Sequence, residues 1–243
     1  MLTDAGWVVQ PLTDLLNLQF DPHDPSRMLN VARLFLALRE CLKELDTFYK
    51  EIGSQQAALV LWPSIRTYHS VHFEYIERLL PGCRSKAVFK ARTLPNNEMI
   101  VVKFTNSYCA DAHRLLEREH LAPRLRYYSG EDEAFTKPGG LEMVVMDFIP
   151  ENLKASLSQQ GRKDVRRALD ILHQAGYVFG DLRIANILNL QDGRAMLVDF
   201  DWSGPAEQVF YPMGLNKTIK WPPTCNAGTP IQKDDDLFMF ENL

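Results

Sequence analysis

Cysteine is scarce and scattered in this chain of 243 residues. The four cysteines, Cys41, Cys83, Cys109 and Cys225, form no C-x-x-C pair, which argues against both a zinc site and a disulfide framework. Free thiols fit a reducing, intracellular compartment. Positive charge is not in excess either: 27 Lys and Arg stand against 31 Asp and Glu, and no basic stripe runs along the chain. A binder of phosphate backbones carries such a stripe, so nucleic acid is not an expected partner. Long apolar runs are missing, since stretches such as 57–62 and 143–146 fall far short of the ~20 residues that cross a bilayer. Met1 leads into Leu2-Thr3-Asp4 rather than a basic segment and a long apolar one, so neither a membrane span nor a secretory signal is expected. No internal repeat or low-complexity tract is visible.

What is present suffices for a core of normal density, with 46% of the residues hydrophobic. Residues 1–24 mix Pro11, Pro22 and several Asp and Asn with isolated apolar side chains and read as a lead-in. Asp24-Pro25 then has the form of a helix start, with an N-cap followed by proline at the first helical position. From Met28 to Ile52 apolar residues recur at steps of three and four, the stripe of one amphipathic helix. That helix is expected to brace the domain that follows, burying Leu34, Leu38, Leu42 and Leu45. Strand-like runs at 57–62, 71–80, 86–94 and 99–104 are broken by Pro81-Gly82 and Pro95-Asn96-Asn97, which predicts an antiparallel meander. A helix is expected over 107–120, with Pro123 marking its end, then a buried strand at 143–146. Val165, Leu169, Ile171 and Leu172 predict a further helix closed by Gly176, and 187–190 and 195–198 predict a short hairpin turning at Asp192-Gly193.

The residues that carry chemistry follow this order of elements. Gly180-Asp181-Leu182-Arg183-Ile184-Ala185-Asn186 resembles the D-x-x-x-x-N catalytic loop of kinases, in which one carboxylate faces the acceptor hydroxyl and an amide oxygen faces a metal. Asp199 follows thirteen residues later, after the apolar strand Met196-Leu197-Val198, at the place of the magnesium-binding Asp of D-F-G. Upstream, Ile100-Val101-Val102-Lys103 resembles the V-A-I-K strand, whose lysine reaches the nucleotide phosphates. Asp and Asn five apart occur by chance in many chains as turn formers; three motifs in the right order and spacing are a different matter.

The resemblance narrows further. Val102-Lys103-Phe104, Ala112-His113-Arg114-Leu115-Leu116, Leu121-Ala122-Pro123-Arg124-Leu125, Val178-Phe179-Gly180-Asp181-Leu182-Arg183 and Val198-Asp199-Phe200-Asp201-Trp202-Ser203-Gly204 resemble the fungal, mainly mushroom-lineage, protein-kinase-like family, as do Tyr211-Pro212 and Trp221-Pro222. The resemblance implies an α+β, bilobal protein-kinase-like fold: an N-terminal extension over 1–56, an antiparallel-sheet N-lobe over 57–147 and a minimal, mainly helical C-lobe over 148–243. It implies ATP and Mg²⁺ as cofactors. Lys103 would hold the α/β-phosphates, Asn186 and Asp199 the metal, Asp181 the acceptor hydroxyl, and Arg183 would balance charge on the γ-phosphoryl. Met146 would stand before the hinge, with the backbone of Asp147 to Ile149 at the adenine edge, and Gly82 would lie in the phosphate-covering loop. Asp236, in Asp234-Asp235-Asp236, would support the catalytic loop from below or serve simply as part of an acidic helix start.

The chain departs from the pattern at four points. The loop Leu80-Pro81-Gly82-Cys83-Arg84-Ser85 offers one glycine where several are expected. The helix that should supply a carboxylate to Lys103 aligns His113 with that slot, with Asp111 as the other candidate. Phe179 stands in place of a histidine, and Asp201 in place of the glycine of D-F-G, which restricts the backbone there and disfavours an activation-loop flip. Three readings stay open: a protein Ser/Thr kinase-like phosphotransferase, favoured by Arg183; a small-molecule hydroxyl kinase, which needs an acidic or aromatic pocket formed by Asp201, Trp202 and the C-terminal segment; and a nucleotide-binding pseudokinase scaffold. The acceptor, protein or small molecule, is not identified by the sequence.

Overall fold

The computed structural model describes residues 2–3, 6–7, 25–54, 62–79, 87–137, 140–151, 156–216 and 218–243. The chain forms two units, residues 9–62 and, together with residues 2–8, residues 63–243. Ahead of the first helix lie two short paired strands, β1 (Leu2–Thr3) and β2 (Gly6–Trp7).

In the first unit, the helix α1 spans Pro25–Ser54. The long helix expected from the apolar stripe is thus present. Its predicted burial is not found, because Leu38, Leu42 and Leu45 are 41%, 57% and 46% exposed and Leu34 is half-buried. The expected strand at 57–62 falls on residues outside those described, except Trp62, which is not in a strand.

The second unit is built on a six-stranded antiparallel sheet of order β3-β4-β5-β6-β8-β7. These strands are β3 (Thr67–Tyr68), β4 (Val71–Leu79), β5 (Ala87–Leu94), β6 (Met99–Thr105), β7 (Leu125–Tyr128) and β8 (Glu142–Asp147). Alternation along β5 buries Ala87, Phe89, Ala91 and Thr93, the signature of a strand with one face on a core. In β6 the apolar Ile100 and Val102 are fully buried, and Lys103, one position on, pairs in register with Val88 and Val144. Lys103 itself is buried, at 5% exposed.

Between β6 and β7 lies α2 (Ala110–Arg118), whose Ala112, His113 and Leu116 are buried at helical spacing. It begins three residues later than the sequence predicts. The cause is tertiary, since Ser107 and Cys109 bond to the segment around 200 instead of entering the helix: Ser107 Oγ donates to Asp201 O at 2.9 Å, and Cys109 N–H to Phe200 O at 3.1 Å. After β8 the chain turns helical with α3 (Gln159–Gln174), capped by Ser158, whose hydroxyl accepts the Gly161 N–H at 2.9 Å. Gly176, at φ +83°, ends it as expected. Then come β9 (Tyr177–Val178), the predicted hairpin of β10 (Ile187–Asn189) with β11 (Ala195–Leu197), β12 (Gly204–Pro205), which pairs with β9, and finally α4 (Lys233–Glu241).

The main core gathers Ala112 and Leu116 of α2, Val165, Leu169 and Leu172 of α3, Val144 and Met146 of β8, and Phe179, Leu182, Ile187, Leu197 and Phe200. The loop of Asp181 and Asn186 and the segment of Asp199 run along this core. Among the described residues no helix is long and apolar enough to cross a membrane, and Cys41, Cys109 and Cys225 are free thiols.

Candidate active site

Asp181 lies in the loop after β9 and is 4% exposed. The residue before it must be glycine: Gly180 has φ +84°, and a Cβ there would come within 2.8 Å of the Trp202 carbonyl oxygen. The loop is held from beneath by Asp236, in the first turn of α4. Its Oδ2 accepts the Phe179 N–H and its Oδ1 the Gly180 N–H, both at 2.8 Å, while His173 Nε2 lies 2.9 Å from Oδ2. Asp236 is 1% exposed and spends both oxygens on this loop, which decides between the two roles weighed for it. The helix start falls to its neighbour Asp235, which forms a capping box with Gln232.

Asn186 follows Asp181 within one short helical turn. Its Nδ2 donates to both the Asp181 carbonyl and Asp181 Oδ2, each at 2.8 Å, so its amide oxygen is turned away from Asp181. Arg183 also reaches Asp181 Oδ2, from Nε at 3.2 Å and Nη2 at 3.0 Å. Val198 N–H donates to Asn186 O at 3.0 Å, tying the loop to the strand that leads into Asp199.

Asp199 has φ +75°. A non-glycine residue in the left-handed region is uncommon, and the surrounding structure must hold it there. Lys103 Nζ, on a residue 5% exposed, pairs with Asp199 Oδ1 and with Asp201 Oδ1, the latter at 2.5 Å. Burial works against the charge on Lys103, but the two carboxylates outweigh it and raise the ammonium pKa above its ordinary value. Burial also acts on Asp201, which is pushed up to about 6 despite the opposing pull of Lys103.

Neither candidate on α2 is seen paired with Lys103. Asp111 is exposed. His113 is fully buried, and its Nδ1 and Nε2 lie 2.7 Å from the Tyr108 hydroxyl and the Pro123 carbonyl. The carbonyl can only accept, so Nε2 carries the proton and Nδ1 accepts from Tyr108. Burial lowers the His113 pKa to about 4, keeping the ring neutral. Phe179, in place of a polar histidine, meets Phe200 edge to face at 5.5 Å and extends the apolar support under the loop.

Met146 is buried at the end of β8. In the run after it, Asp147 N–H is taken by Arg124 O at 2.9 Å and Phe148 N–H by Met99 O at 3.1 Å. No described residue accepts the Ile149 N–H. The Asp147 side chain is ion-paired to Arg126. Gly82 and its loop lie outside the described residues. Two residues of the site were not singled out as partners of Lys103 by the sequence: Asp201, and Tyr108, whose ring centre is 5.5 Å from Nζ. An aspartate where a glycine is usual was the available signal for the first; nothing marked the second.

The oxygens of Asn186 and Asp199 are hard donors of the kind magnesium takes, and Mg²⁺ commonly needs only one or two protein groups beside phosphates and water. Among the described residues no cluster of three or more His, Cys, Asp or Glu is gathered that would form a metal cage of its own.

No sequence-family model matches the chain, and no curated protein matches it. Many solved structures do. Among them is the kinase PK-1 of Cydia pomonella granulovirus, which superposes with a TM-score of 0.53 at 17% identity, over 69% of this chain and 65% of that one. The match thus spans just under two thirds of the viral kinase. At this identity it speaks for architecture: the fold is protein-kinase-like.

Proposed function

We propose that this chain is a phosphotransferase that uses ATP and Mg²⁺, with residues 57–147 and 148–243 acting as the two lobes around the nucleotide. The observation that carries the reading is a pair of contacts among three segments, Lys103 paired to Asp199 and Asn186 bonded to Asp181, with the segments of Asn186 and Asp199 tied by Val198 N–H to Asn186 O. In this reading Lys103 holds the α/β-phosphates, Asn186 and Asp199 hold magnesium, and Asp181 orients the acceptor hydroxyl and takes its proton. Arg183, fastened to the Asp181 carboxylate, presents its charge where the transferred phosphoryl group gathers negative charge. Ile149 N–H is the backbone donor offered to the adenine edge, beside Met146 and the Asp147 carbonyl. ATP supplies the phosphoryl group, and magnesium offsets the charge that develops on it.

Protein Ser/Thr is the acceptor class that Arg183 favours. One feature favours a small hydroxyl compound instead: a cavity of ≈ 470 Å³ beside Asp201, lined by Tyr108, Trp202, Ser203, Phe210 and Pro212 among others. Its lining by Asp201 and Trp202 supports that reading, which calls for an acidic or aromatic pocket there. A groove of similar volume along α3, lined by Arg162, Arg166 and Phe240, contains none of the site residues. The fungal kinase-like family remains a resemblance carried by the quoted sequence runs.

Labelled ATP with magnesium, offered with a mixed panel of proteins and small alcohols, tests the reading. Transfer to either class supports it and assigns the acceptor. A thermal shift with MgATP and no transfer to anything would identify a nucleotide-binding scaffold. No shift at millimolar MgATP would reject nucleotide binding altogether.

A further inference from the structure

A phosphate-holding lysine needs a carboxylate to fix it, and in protein kinases a helix supplies it, so that helix movement arms or disarms the site. Here the carboxylates of α2 are engaged elsewhere or exposed. Glu117 Oε2 accepts the Leu125 N–H at 3.1 Å, Glu119 pairs with Arg167, and Asp111 is exposed. The helix position aligned with the lysine is His113, whose two nitrogens are bonded to Tyr108 and Pro123. Meanwhile the side chain of Asp201, 20% exposed, places Oδ1 2.5 Å from Lys103 Nζ. Its backbone is fixed independently, because Asp201 O accepts from Ser107 Oγ and the preceding Phe200 O accepts from Cys109 N–H.

We propose that Asp201 is the positioning residue for Lys103, filling from the Asp199 loop the role that a helix carboxylate fills elsewhere. Lys103 is then set by the segment that also carries the metal-binding Asp199, and the site is armed without any movement of α2. With Asp199 committed to a metal, Asp201 is the carboxylate that remains to Lys103. The proposal rests on the reading of Lys103 as the phosphate-holding residue.

The test uses the full, nucleotide-free chain, treated with a small amine-acylating reagent, with modification of Lys103 followed by peptide mass spectrometry. Because Asp199 also pairs with Lys103 in the nucleotide-free chain, the variants are compared on an Asp199→Asn background. Lys103 should stay strongly protected there with Asp201 intact and with His113→Gln added, and be acylated at least several-fold faster with Asp201→Asn added, Asp201→Ser being the second variant if that one does not fold. The melting losses of Lys103→Met and Asp201→Asn should also fail to add, the double variant losing little more than the larger single loss. Unchanged protection in both Asp201 variants, loss of protection in His113→Gln, or strictly additive melting losses would overturn the assignment. Because these readouts need no nucleotide, failure of the wild type to bind MgATP would count against the phosphotransferase reading, and these outcomes against the role of Asp201.

Discussion

The imidazole of His113 lies flat on the ring of Phe200, with 4.7 Å between centroids and 8° between planes. The fully buried ring is held neutral, because burial strips a charge there of the solvent that would stabilise it. Its pKa in the folded chain is lowered to about 4 from an ordinary 6.5. The unfolded chain takes up the proton first as pH falls, so the contribution is complete above about pH 6.5 and is lost progressively toward pH 4. At 1.36 kcal/mol per pKa unit the loss is roughly 3 kcal/mol. Thermal melts from pH 7 to pH 4 should therefore fall more steeply for the wild type than for His113→Gln. Parallel curves would show that His113 does not titrate in a buried site.

Asp236→Ala removes the acceptor of two buried backbone N–H groups and the partner of His173. Buried groups left unsatisfied cost about 1–3 kcal/mol each, so a destabilisation of roughly 3 kcal/mol or more is expected in denaturant unfolding. Asp236→Asn, which keeps one acceptor oxygen, should lose less. Equal losses in the two variants would mean that the hydrogen bonds to the loop are not what Asp236 contributes.

Asp181 and Asp199 should separate by their signatures. Asp181→Asn keeps size and shape, so MgATP affinity should persist while turnover falls roughly 10²–10⁴-fold. In the proposed reading Asp199→Asn loses a charged metal ligand, and it also removes one of the two carboxylates on Lys103. Both metal-dependent binding and turnover should then fall. Activity unchanged by Asp181→Asn would remove this loop from the chemistry.

Much of this arrangement is legible in the sequence, and the limits have physical causes. Strand β6 shows itself through Ile100-Val101-Val102, and the turn at Asp192-Gly193 through residues that favour it, because both signals are local. Asp181, Asn186 and Asp199 are recognisable because their spacing along one stretch of chain is their geometry. The partner of Lys103 is not of that kind. Lys103 and Asp201 lie 98 positions apart, and helical periodicity tells which side of α2 faces inward without telling which carboxylate reaches the lysine. For the same reason the stripe of α1 is visible as a face, while its burial is not found. The α2 boundary moved because Ser107 and Cys109 bond across the fold, a preference no propensity encodes.

Gly180 and Asp236 stand 56 positions apart. The loop that holds Asp181 thus receives its support from a helix made long after it. While the chain is being synthesised, the stretch up to Asp199 contains every polar group of the proposed chemistry, yet Phe179 and Gly180 have nothing to donate to until α4 has emerged and docked. A nascent chain at that stage carries the site as composition and not as geometry. The geometry of the loop therefore waits on the synthesis and docking of α4.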